Sequence, residues 1–92
     1  MRIWAKIFKE NRMIKDFVYT DNSEDTRTHK VFAGLEEACH EFDLQNPIWL
    51  YINVRDFKKF SRTRFRKDSF IEEVDFDFLE FQILEEDGQD IY

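Results

Sequence analysis

Arg55, Lys58, Lys59, Arg62 and Arg66 are the residues of this chain whose types and spacing most directly suggest chemistry. Wound as a helix at about 100° per residue, they gather within roughly 60° of one direction, with Phe57, Phe60 and Arg64 opposite. Five cations in a stripe backed by rings suit a surface that faces phosphates. Seven of the fourteen basic residues lie between Arg55 and Lys67, a segment of net charge +6. From Asp68 to Tyr92 there are ten acidic residues and no basic one, and residues 1–54 carry −2, so the formal total is −6. A second reading therefore competes with the first: the cations neutralise the acidic quarter of their own chain. The sequence favours this reading, because nucleic-acid binders are generally basic overall and this chain has a pI near 4.9.

The carboxylates are the next cluster to weigh. A calcium loop needs a glycine at its bend and ligands at alternate positions, and the only glycine near Glu72, Glu73, Asp75 and Asp77 is Gly88. Solvated charge, or charge that protects an edge strand, is the simpler role. His29, Cys39 and His40 supply the only imidazole and thiol groups. Neighbours on a helix diverge by about 100°, so Cys39 and His40 cannot share a metal, and no second cysteine completes a zinc set. Cys39 reads as a small core residue. Gly34 and Gly88 cannot build a glycine-rich phosphate loop. Gly34 reads instead as a place where a helix packs closely on a sheet. No catalytic residue, metal or cofactor is expected.

The elements that must position these groups follow from periodicity. Residues 1–9 alternate, with Ile3, Ala5 and Ile7 on one side and Trp4, Lys6 and Phe8 on the other, which predicts a strand. Residues 13–20 form a second β-rich run and a hairpin partner, although Asn11 is followed by Arg instead of Gly. Residues 21–30 hold no apolar side chain and predict a solvated loop, ending where Thr28 or a neighbour caps a helix. Val31, Leu35, Ala38, Cys39 and Phe42 trace one face of that helix, expected to stop between Leu44 and Asn46, before Pro47. Residues 48–54 read as a short strand or an extended connection. Asn53 resembles an N-cap for a short helix from Val54 to Ser61 or Arg62. Residues 79–84 predict the last strand, and residues 86–92 a frayed acidic tail. The order β-β-α-α-β predicts one α+β domain over residues 1–92. In it, a three-stranded antiparallel sheet of order 2-1-3 has the long helix laid across one face, with a second, short helix besides.

That arrangement leaves Trp4 and Phe8 on a sheet face without a helix layer, and Trp49 is grouped with them as a candidate aromatic interface. Rings there can meet a protein partner, a second copy or nucleic-acid bases. The alternative is that the second helix and residues 62–78 wrap round and bury them.

The run PIWL (Pro47–Leu50), followed by RDFKKF (Arg55–Phe60), TRF (Thr63–Phe65), DSFIEEVDFD (Asp68–Asp77) and LEFQIL, resembles a family of short Firmicutes proteins without assigned activity. The resemblance covers most of the chain. It implies a bacterial cytoplasmic protein and carries over no functional residue. A single cysteine, and an N-terminus that alternates where a leader would run apolar, agree with a cytoplasmic location, and no stretch is apolar enough for a membrane span. The function expected is a non-enzymatic interaction module that binds a protein partner or itself, with nucleic-acid binding through the basic stripe as the alternative.

Overall fold

The computed structural model describes residues 1–88. Their elements are β1 (Arg2–Lys9), β2 (Arg12–Thr20), α1 (Arg27–Glu41), α2 (Tyr51–Phe60), β3 (Arg62–Arg66), one 3-10 turn (Lys67–Ser69) and β4 (Phe78–Glu85). The fold is α+β, and both helices lie on one face of an antiparallel sheet. The sheet has four strands in the order β2-β1-β4-β3, which corrects the three-stranded 2-1-3 arrangement. The added strand is RTRFR. Ser61 turns left-handed at φ 53° and ends α2, after which Thr63 and Phe65 are buried and Arg62, Arg64 and Arg66 exposed. This period-2 pattern pairs β3 with β4 and cuts the helical stripe in two.

Boundaries shift for local reasons. The side-chain oxygen of Thr26, two residues before Thr28, accepts the His29 N–H and caps α1. Asp43, left-handed at φ 57°, stops α1 before Pro47 is reached, and the Leu44 N–H closes back on the Cys39 carbonyl at 2.8 Å. Residues 44–50 form an extended connection. Leu50 is the N-cap of α2, and Asn53 is its third residue, not its cap; the Asn53 side chain accepts the Leu50 N–H at 3.0 Å. The β1–β2 hairpin turns through Glu10 and Asn11, both left-handed (φ 52° and 64°). Two such residues give the tight turn whose twist suits a hairpin, at some strain for Glu10. Asp77 relieves it by accepting the Glu10 N–H at 2.8 Å.

The core lies between sheet and helices. Ile3, Ala5, Ile7, Phe65, Leu79, Phe81 and Ile83 meet Val31, Leu35, Ala38 and Phe57 there. Gly34 belongs to this contact: a Cβ added to it would lie 2.9 Å from Cδ1 of Ile3 and 3.0 Å from the Tyr19 ring. Gly34→Val should therefore force α1 off the sheet and cost about 2 kcal/mol of unfolding free energy, read from a urea melt. An unchanged midpoint would mean that the helix is free to shift.

Of the tail expected over residues 86–92, Glu86 and Asp87 make ion pairs with the body of the fold, and residues 89–92 lie outside the described residues. Asp87 accepts hydrogen bonds from the N-terminal ammonium (2.9 Å) and from Nζ of Lys30 (3.0 Å), an ammonium that is only 2% exposed. Glu86 makes a two-bond contact with Arg27, 3.0 Å on each side. The N-terminal ammonium and Lys30 hold the Asp87 carboxyl below its usual 3.8. A depressed carboxylate contributes stability that is complete above its unfolded value and is lost as pH falls through the folded one. Acid unfolding should thus begin below about pH 4. Asp87→Asn should lower stability at neutral pH and flatten that part of the acid limb, followed by circular dichroism; an acid limb identical to that of the parent would remove Asp87 from the account.

Candidate functional site

The sheet face away from the helices carries no covering layer, and register places its side chains in three cross-strand rows. Met13, Phe8, Phe78 and Arg66 form one row. Asp16, Lys6, Glu80 and Arg64 form the middle row, and Val18, Trp4, Gln82 and Arg62 the third. The arginines form a column along the edge strand β3. Alternate residues of a strand stand about 6.7 Å apart along the backbone, so the three arginines leave β3 at a spacing near that of successive phosphates of an extended strand.

Phe8 and Phe78 stack with centroids 5.1 Å apart, and the guanidiniums of Arg64 and Arg66 lie 4.5 Å and 5.4 Å from the Phe78 centroid. Trp4 is held at the other end. Its indole N–H donates to Asp16 at 2.9 Å, and Nζ of Lys6 sits 3.9 Å from the centre of its ring. Between these aromatic positions the middle row is ionic. Glu80 is buried and accepts from Lys6 at 2.8 Å and from Arg64 at 3.1 Å, while Lys6 also donates to Gln82 at 3.2 Å. Burial alone would raise the Glu80 carboxyl; Lys6 and Arg64 more than offset it and hold the carboxyl low. The row is therefore a fixed charge network that positions Arg64.

The cationic segment and the acidic quarter do not neutralise each other as the charge totals suggest. Most of the ion pairs of residues 72–87 reach residues 1–30, although Glu86 also accepts from the Ser61 hydroxyl at 3.4 Å. Asp75 pairs with Lys9, Glu85 with Arg2, Glu86 with Arg27, and Asp87 with Lys30 and the N-terminus. Glu72 accepts the Gln45 N–H. Arg64 is the one cation of 55–67 that forms an ion pair with this quarter among the described residues. Arg55 reaches only its neighbour Asp56, at 3.6 Å, and Lys58, Lys59, Arg62 and Arg66 make no ion pair among the described residues.

The sequence candidates are thus divided between two surfaces. Arg62 and Arg66 stand on the open face with Trp4 and Phe8. Arg55, Lys58 and Lys59 lie on α2, behind the sheet. Trp49 is not part of the open face: it packs edge-on against Phe57, Phe65 and Phe81 on the helix side. Trp4 and Phe8 are half-buried: Phe78 stacks on Phe8 and Lys6 lies over Trp4, while α2 packs on the opposite face of the sheet. Residues that the helical reading missed are Arg64, Phe78, Lys6, Glu80 and Gln82. Their signal was the alternation of Arg62-Thr63-Arg64-Phe65-Arg66, obscured because only one of its two buried residues is strongly apolar.

The outer edge of β3 borders a groove of about 480 Å³ against α2, walled by Ile52 and Phe60 and continuous with the arginine column. Cys39 is far from reactive: burial, and to a lesser degree Glu72, pushes its thiol up to about 12. No helix among the described residues is long and apolar enough to cross a membrane. Comparisons of the chain with protein-family models, with curated proteins and with solved structures found no match.

Proposed function

We propose that the protein is a non-enzymatic interaction module that binds single-stranded nucleic acid across the open face of its sheet. The observation that carries this reading is the arginine column beside the stacked Phe8–Phe78 pair, in which Arg62 and Arg66 make no ion pair among the described residues. Phosphates follow Arg62, Arg64 and Arg66, and bases turn inward onto Phe78 with Phe8 and onto Trp4. Stacking on such rings contributes about 1–3 kcal/mol per base and is tolerant of sequence. A single strand fits better than a duplex, whose bases are already stacked and whose backbone cannot bring rings and guanidiniums together. The net charge of −6 is not carried by this face, whose rows hold Lys6, Arg62, Arg64 and Arg66 against Asp16 and Glu80. The setting we propose is the bacterial cytoplasm, on the resemblance noted above and the single, buried cysteine.

The test is fluorescence anisotropy of a labelled thymidine oligomer of about 12 nucleotides at low salt, a length that spans one such face. Saturable binding is expected, with quenching of Trp4 and clearly weaker binding of a duplex of equal length. Polyglutamate of equal charge should compete poorly. If polyglutamate competes as well as the oligomer, the face reads charge alone and its partner is an acidic protein; if the oligomer does not bind, the reading is wrong.

A further inference from the structure

The helix layer carries a second surface, on the side of the sheet away from the arginine column. Of the ten residues of α2, only Asn53 and Phe57 are buried. Tyr51 is 82% exposed, Val54 39%, and Phe32 on the facing side of α1 52%. Rings and branched aliphatics left this open are costly unless something covers them. Between the two helices lies an apolar notch of about 300 Å³, floored by Val31, Phe32, Trp49, Val54 and Phe57. Arg27, Thr28 and Lys58 form its rim. Arg27 is engaged by Glu86, but Lys58 and Lys59 have no ion pair among the described residues, and Arg55 has only its neighbour Asp56.

We infer that this notch is a docking site for an acidic amphipathic segment of a partner protein. An apolar side chain of the partner fills the space over Trp49 and Val54, and its carboxylates meet Lys58 at the rim. The charge of the border selects the sign of the partner. The floor argues against nucleic acid, because Trp49 is locked edge-on by Phe32, Phe57 and Phe65 at interplanar angles of 88°, 81° and 89° and offers no free platform for a base. Helix-in-groove recognition uses this combination of an apolar cleft and a charged rim. Because this surface and the open sheet face lie on opposite sides of the sheet, the protein can hold both ligands at once. The inference does not depend on the reading of the other face.

Trp49 itself supplies the readout. In a Trp4→Phe background it is the only tryptophan. The probe is a synthetic helical peptide of about 18 residues with leucines at i, i+3, i+4 and i+7 and glutamates elsewhere. Two control peptides replace every glutamate by lysine or every leucine by serine. The glutamate peptide should give a saturable change in Trp49 emission, and each control should bind about tenfold more weakly or worse. Val54→Glu and Lys58→Glu, both at exposed positions and checked for unchanged circular dichroism, should each weaken binding by about tenfold. The inference is overturned by equal responses to the glutamate and lysine peptides, or by no response. It is also overturned if Trp49 emission responds to the thymidine oligomer, or changes with protein concentration alone.

Discussion

Asn53→Ala should lower the unfolding free energy by about 3 kcal/mol, a third or more of what a domain of this size is expected to have. The residue is 1% exposed and makes contacts on both sides of its amide. Its oxygen accepts the Leu50 N–H at 3.0 Å and the Ser69 hydroxyl at 3.4 Å. Its nitrogen donates to Oγ1 of Thr63 at 2.9 Å and to the Arg64 carbonyl at 3.0 Å. One side chain thus ties the start of α2 to the edge strand and to the turn that follows it. Alanine removes every partner and leaves the buried hydroxyls of Thr63 and Ser69, with the part-buried Leu50 N–H and Arg64 carbonyl, without the bonds Asn53 supplied. Chemical denaturation measures the loss. Hydrogen exchange should localise it, with amides of β3 losing more protection than those of β1. A loss below about 0.5 kcal/mol, the range of ordinary surface substitutions, would show that β3 is held by its pairing with β4 alone.

Reversing two charges, in Arg62→Glu with Arg66→Glu, should leave stability nearly unchanged and reduce affinity for the thymidine oligomer about a hundredfold or more at low salt, close to 2.7 kcal/mol. Both side chains are exposed and neither makes an ion pair among the described residues, so the exposed contact of Arg66 with the Phe78 ring is the main interaction that folding loses. The matching change on α2, Lys58→Glu with Lys59→Glu, should have a much smaller effect on the oligomer, because those ammoniums lie on the helix layer. Equal losses from the two pairs would mean that binding follows the overall charge of the segment, as the unbroken helical stripe implied.

That contrast also shows what was legible in the sequence. Elements with an apolar period were plain: Ile3, Ala5 and Ile7 announced β1, Val31 through Phe42 announced α1, and residues 79–84 announced β4. Strand β3 was not, because two buried residues among three arginines give little hydrophobic alternation, and seven cations in thirteen residues read as a helical stripe. Missing β3 misplaced Arg62 and Arg66, and with them the site. The fate of the acidic quarter was equally hidden. Glu86 and Asp87 meet Arg27 and Lys30 across nearly sixty residues of chain, and such pairings depend on tertiary contact that local pattern cannot reveal. Trp49 failed for a related reason: in the short run IWLYINV, period cannot separate core from surface.

On the proposed function, the open sheet face binds a single strand through its arginine column by phosphate contact combined with ring stacking. The salt dependence of thymidine-oligomer binding tests it most directly. With three guanidiniums each neutralising one phosphate, log affinity should fall against log salt with a slope of about −2, and Arg62→Gln with Arg66→Gln should reduce that slope by about 1.4. Residual affinity at high salt should vanish in Phe78→Leu. A slope left unchanged by the glutamine pair, or the absence of binding at low salt, would contradict the account.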